Sequence, residues 1–319
     1  MFNSRNVTNM RLLNVLIILI LSFGLALSGC VEERSREDSI PDDAVKMTPE
    51  TDAFPPALHS DEWMQPIPME GPINTAGAED APVITPDGNT FIFFFTPDVS
   101  IPANEQLTDG VTGIWWSTKT NGVWSEPERA LLTTSLALDG PLCIHDNTLW
   151  FCSARVGNYR DLDIYTANLE NGEWQNWENV GELLNKEYEV GELYLTADGN
   201  TMYFDSSRTG GYGGKDIWVT TKENGEWTQP ENLGPTINDD QDQGWLYVTA
   251  DGSELWYGSV GGIFRSRLNG TSWNEPELIV SNFVGDPGID DEGNLYFTHH
   301  YFTTDMQHIE ADIYVCYKK

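Results

Sequence analysis

The 319 residues carry 50 Asp and Glu against 17 Lys and Arg, a formal charge of −33. A surface that acidic repels phosphate backbones and anionic headgroups, which argues against nucleic acid and leaves cations, neutral sugars or basic protein patches as compatible partners. Four cysteines are too few for a disulfide scaffold, and no Cys/His pair has zinc spacing.

The chain opens with Arg5 and Arg11, then an uncharged apolar run, Leu12 to Leu27, that closes on Leu27-Ser28-Gly29-Cys30. A positive start, a short apolar stretch and small residues before a cut make a secretion signal, and the run is short for a membrane span. A cysteine directly after the small residues resembles the lipobox of prokaryotic lipoproteins. That resemblance implies acylation of Cys30 and an exported protein held on the periplasmic or extracellular face, touching the membrane through its lipid alone. Residues 31–60 contain Glu32, Glu33, Glu37, Asp38, Asp42 and Asp43 with Pro41, Pro55 and Pro56, and few large apolar groups. This composition predicts a flexible acidic tether. Residues 61–319 are enough for one all-β domain, expected to be monomeric.

Within that domain a unit of about fifty residues repeats, which decides the fold. One copy reads Gly191-Glu192-Leu193-Tyr194-Leu195-Thr196-Ala197-Asp198-Gly199, an aromatic strand to Phe204, Ser206-x-Arg208, Asp216-Ile217-Trp218, then Asn224-Gly225-Glu226-Trp227 and Pro230. Apolar alternation predicts strands, Asp-Gly and Asn-Gly supply the positive φ of tight hairpins, and Pro230 marks an edge strand. One copy is a four-stranded antiparallel meander. The first turn recurs at Asp87-Gly88, Asp146-Asn147, Asp198-Gly199, Asp251-Gly252 and Glu292-Gly293. The Asn-Gly unit appears only four times, because the chain stops at Lys319. Asp61-Glu62-Trp63-Met64-Gln65-Pro66 and Gly71-Pro72-Ile73-Asn74 mirror Gly225-Glu226-Trp227-Thr228-Gln229-Pro230 and Gly234-Pro235-Thr236-Ile237-Asn238. The expected fold is therefore an all-β, five-bladed β-propeller, its last blade completed by an N-terminal strand that hides an open edge.

These residues resemble the TolB-like family of WD40-like propeller repeats. The match is closest where Ser153-x-Arg155-x-Gly157-x-Tyr159 leads to Asp163-Ile164-Tyr165 and Ser206-x-Arg208-x-Gly210-x-Tyr212 leads to Asp216-Ile217-Trp218. The first repeat has Gly113 in place of the aspartate, and the fifth has His299-His300-Tyr301 in place of the arginine loop. The resemblance implies a cell-envelope partner protein and says little about ligand.

The long loops, Pro97–Thr112, Ser153–Leu162, Ser206–Lys215 and His299–Ala311, fall on the face opposite the tight turns, and binding is expected there. On that face the first strands begin with Glu79, Asp80, Asp139, Glu189, Glu192, Asp242 and Asp286. Such carboxylates read in three ways: water-facing acids, a calcium site that includes Asp242 and Asp286, or general acid and base on a glycosidic bond. No catalytic residue is assigned, and Asp80, Asp139, Glu192 and Asp286 are the candidates for the enzymatic alternative. Arg155 and Arg208 either bind an anionic ligand or lock their own loops against Asp163 and Asp216. Trp63, Trp124, Trp174, Trp227 and Trp273 recur once per repeat, as packing residues do. Tyr159, Tyr212, Trp245, Tyr301 and Trp116 break the regularity and are candidates for stacking on a ligand. His299 and His300, being adjacent, point to opposite sides of a strand. Cys143 and Cys152 fall on one predicted hairpin, as a cross-strand disulfide or as two thiols. No nucleophile elbow, phosphate loop or dinucleotide fingerprint is present. The expected function is a lipid-anchored, non-catalytic binding or scaffold module for an envelope protein or glycan. The alternative is a glycoside hydrolase or lyase.

Overall fold

A computed structural model describes residues 35–69 and 71–319. The expected secretion signal and the expected lipobox cysteine, Cys30, lie outside them. Among the described residues no helix is long and apolar enough to cross a membrane.

The regular structure of the described residues is almost all β-strand, paired antiparallel within each meander. Its first meander comprises Ala78–Ile84, Thr90–Thr96 and Gly113–Thr120, with Glu128–Arg129 outermost. The second comprises Leu138–His145, Thr148–Ala154, Asp163–Glu170 and Glu173–Asn179. The third runs Leu193–Leu195, Thr201–Ser206, Asp216–Glu223 and Glu231–Asn232. The fourth runs Gly244–Val248, Glu254–Ser259, Gly262–Asn269 and Glu277–Ser281. The fifth has Val284–Ile289, Leu295–Phe302 and His308–Cys316, and the early segment Ile67–Pro68 pairs with its last strand at Val315 and Tyr314. Trp63 bridges Lys318 beside it.

First strands lie against one another: the first meander's against the second's, then second to third, third to fourth, fourth to fifth and fifth to first. Four-stranded meanders joined side by side at their first strands are the architecture of a β-propeller. Because each sheet is covered on both faces, the second strands read as nearly continuous apolar runs, such as Phe91-Ile92-Phe93-Phe94-Phe95. The recurrent tryptophans fill the seams. Trp174 meets Trp116 of the preceding meander edge to face, Trp273 meets Tyr203, and Trp63 meets Trp256. Trp116 is thus packing rather than a ligand platform.

Local chemistry explains the turns. Asn121-Gly122, Asn171-Gly172 and Asn224-Gly225 all have positive φ at both residues, the backbone that a two-residue hairpin with right-handed twist requires. An asparagine relay ties successive elements. Ile164 N–H donates to Asn185 Oδ1, Ile217 N–H to Asn238 Oδ1, and Ile313 N–H to Asn74 Oδ1. Asn74 therefore gives the fifth meander what Asn185 and Asn238 give theirs, from the opposite end of the chain.

Two expectations are corrected. Residues 35–58 are not a tether: they pack along the domain. Arg36 is buried, donates to the carbonyls of Pro72 and Ile73 and to Glu79, and lies over the rings of Phe93, Phe95 and Trp115. Lys46 pairs with Glu310 and Asp312. Asp52 bonds buried His299, and Ala57–Leu58 adds a strand outside Glu277–Ser281. Apolar content alone missed this, because the docking rests on charges that meet buried carboxylates and ring faces. Cys143 and Cys152 are free thiols: Cys143 sits opposite Trp150 and Cys152 opposite Gly140, so the two never face each other.

Candidate functional site

Four of the first strands shift register at the same depth, between Asp80 and Val83, Pro141 and Cys143, Gly244 and Tyr247, and Gly285 and Gly288. Ala81, Trp245 and Asp286 there adopt positive φ. Such bulges re-aim side chains, and here the four bulged strands and the start of the third meander line one cavity of about 150 Å³. Its walls include Asp80, Pro141, Glu192, Trp245 and Asp286.

The acids are held individually. Ala81 N–H donates to Asp80 Oδ1 at 2.8 Å. Trp245 N–H donates to Glu192 Oε2 at 2.8 Å, which links the third and fourth meanders. Lys215 donates to Asp205 Oδ2 at 3.1 Å, behind Glu192. Burial pushes Glu192 up to about 8, helped by the neighbouring charge of Asp205. Burial also raises Asp286, reinforced by Asp80 and Glu192. Burial alone would lower Lys215, but Asp205 and Glu192 outweigh it and hold the ammonium. The pocket therefore contains one carboxyl group, that of Glu192, that keeps a proton near neutral pH and can donate as well as accept.

Trp245 is 43% exposed and forms the apolar wall. Its ring lies against Gly258, where a Cβ would come within 2.5 Å of it. A side chain at 258 would displace the platform.

Other expected residues fall elsewhere. Arg155 does not pair with Asp163: it donates to Asp139 Oδ1 at 2.7 Å and lies over Tyr165, so Asp139 is an internal partner rather than a pocket acid. Arg208 does not pair with Asp216 but covers Trp218. Asp163 and Asp216 instead accept the N–H groups of residues 159–160 and 212–213 and the amides of Asn179 and Asn232, which folds each loop back. Tyr301 is fully buried, bonded to Asp312 and Tyr314, and cannot stack on a ligand. Tyr159 and Tyr212 are 49% and 52% exposed on their loops but outside the cavity. Asp242 is exposed, accepts the Lys215 N–H, and does not join Asp286 in a shared cation-ligand group.

The sequence reading missed Asp205, Lys215, His300 and His308. Asp205 sits mid-strand in an aromatic run, and nothing in its spacing marks it. His300 was weighed only against His299. The structure separates these two as alternation requires: His299 points inward to Asp52, and His300 Nδ1 lies 3.3 Å from His308 Nε2. Burial, with His300 beside it, lowers His308.

No protein-family model matches the chain, and no curated protein matches it in sequence. Among solved structures it is similar to a TolB from Agrobacterium tumefaciens, 15% identical, over 77% of this chain and 92% of that one, with a TM-score of 0.40. It is also similar to a subtype N11 neuraminidase-like protein of a flat-faced bat influenza A virus, 12% identical, over 84% and 94%, TM-score 0.40. A puromycin-hydrolyzing peptidase of Mycobacterium tuberculosis is 15% identical over 70% of this chain, TM-score 0.39, and this chain spans only 34% of that one.

Proposed function

We propose that this chain is a lipid-anchored, TolB-like binding module of the cell envelope. It is a monomeric propeller of five blades, closed where Ile67–Pro68 joins the fifth, that takes a protein or glycan at the central pocket of its loop face. Contacts between successive first strands, returning from fifth to first, support the five-blade count. The Asn74 bond to Ile313 supports closure by the early segment. Acylation at Cys30 would hold the domain at the membrane.

The observation that carries the reading is the convergence of Asp80, Glu192 and Asp286, from three different meanders, beside the face of Trp245. A cavity of about 150 Å³ is smaller than the roughly 300–1,000 Å³ that encloses a whole small ligand. It fits one protruding group: a basic side chain or a single sugar ring edge against the indole. Capture of one such group, with the exposed loops around it, suits recognition better than turnover.

A glycan array and an envelope-protein capture screen with residues 35–319 test the reading. One class of ligand should be retained by the parent domain and lost with Glu192→Gln and Trp245→Ala. The carbohydrate-active alternative is favoured by one feature, a Glu192 carboxyl that holds its proton near neutral pH, as a general acid must. Cleavage of an array glycan that stops with Glu192→Gln would replace the binding reading by that one.

A further inference from the structure

Two residues of the central pocket's wall, Asp80 and Asp286, also belong to a second arrangement built from different chemistry. Asp80 comes from the first strand of the first meander, Asp286 from the first strand of the fifth, and His300 from the second strand of the fifth. One ligand atom from each lies within 4.8 Å of the other two. All three residues are half-buried. Among the described residues neither carboxylate has a salt-bridge partner, and the nearby ammonium of Lys215 is engaged by Asp205.

The geometry points to a divalent transition-metal site on Asp80, Asp286 and His300, which shares its two aspartates with the pocket on which the proposed function rests. The two aspartates, deprotonated as the ion binds, supply the charge to balance a dication. The imidazole shifts preference from calcium toward zinc and its neighbours, since calcium takes oxygen ligands while imidazole suits the borderline metals. Neighbours hold two of these side chains in place. His300 Nδ1 faces His308 Nε2 at 3.3 Å, which orients the ring. Ala81 N–H orients Asp80 at 2.8 Å. Three protein ligands leave a zinc position open toward the cavity, so a bound ion would offer its free site to an incoming ligand's oxygen or nitrogen. The ion's ligands do not include Asp242.

Calorimetric titration of residues 35–319 with Zn²⁺ alone, and with Ca²⁺ alone, tests the site without reference to any glycan or protein partner. One Zn²⁺ per chain is expected to bind, more tightly than Ca²⁺. Asp286→Asn and His300→Gln should each weaken it by at least the roughly 10–100-fold that loss of a mere outer-shell partner costs, while Asp242→Asn leaves it unchanged. Melting curves establish that each variant is folded. Should one fail to fold, visible absorption of the Co²⁺ form of the unaltered protein reports the same site, through bands of a low-coordinate nitrogen–oxygen environment. No stoichiometric Zn²⁺ binding, binding indifferent to both substitutions, or tighter binding of Ca²⁺ would each overturn the assignment. A domain that binds its glycan or protein but no Zn²⁺ would sink the metal site and leave the binding module standing. Zn²⁺ binding with no such partner would do the reverse.

Discussion

Replacing Arg36 by alanine should destabilise the domain strongly and in a pH-dependent way. Arg36 is 3% exposed, and the Glu79 carboxylate it meets at 3.1 Å is fully buried. The substitution strands Glu79, removes the donor to two carbonyls and uncovers Phe93, Phe95 and Trp115. Breaking a buried pair by removing one partner costs about 3–5 kcal/mol, which at roughly 2 °C per kcal/mol for a domain this large is a drop in Tm of about 8 °C. The pH dependence follows from Glu79, which burial lifts to about 7 against the pull of Arg36. A carboxyl raised in the folded state binds more protons there than when unfolded, so its burden appears as pH rises from about 4.5 through 7. Without Arg36 that rise is larger. The deficit of Arg36→Ala should therefore be greatest near pH 8 and shrink toward pH 5.5, where Glu79 is neutral. Urea unfolding of residues 35–319 at both pH values measures it. A deficit under about 1 kcal/mol, equal at both, would refute the claim that residues 35–58 are part of the folded domain.

Three further outcomes are expected. Glu192→Gln should raise stability at pH 8–9 and not at pH 4, because a carboxyl raised to about 8 in the folded state loses stability as pH climbs from its unfolded range near 4.5 through 8; urea midpoints at the two pH values check this. Gly213→Ala should lower Tm by several degrees, since a Cβ would sit 2.4 Å from the Gln241 carbonyl and 2.5 Å from that of Asp239. Burial holds His299 below its usual value despite Asp52, so the folded state takes up a proton later than the unfolded one. Stability should fall as pH drops below about 6.5, and His299→Gln should flatten that slope in a denaturant series.

The meanders were legible because turn chemistry and strand alternation repeat, and because Trp63 and Asn74 carry the signature of a repeat unit displaced to the start of the chain. Both now sit on the fifth meander. The role of residues 35–58 was not legible. Arg36 over Phe93 and Trp115 does for the first meander what Arg155 over Phe151 and Tyr165 does for the second. The first repeat lacks a loop arginine, and its substitute arrives from far away in the sequence, where no local pattern marks it. Lys46 reaches Asp312 of the fifth meander in the same manner. The pocket was half legible: Asp80, Glu192 and Asp286 were named from strand starts and Trp245 as an aromatic outside the repeat pattern, yet alternation could not foresee bulges that bring them to one cavity. Tyr301 fails for the complementary reason. It was placed in a loop, but Leu295–Phe302 continues as strand and buries it.

The claim on which the functional account turns is that ligand enters on the loop face, at the central pocket. Capture from envelope extracts by residues 35–319 can be compared between Trp245→Ala, at the pocket, and Val123→Lys, an exposed position beside the Asn121-Gly122 turn on the opposite face. The account predicts that a partner held by the unaltered domain is lost with Trp245→Ala and kept with Val123→Lys. Loss with Val123→Lys and retention with Trp245→Ala would contradict it.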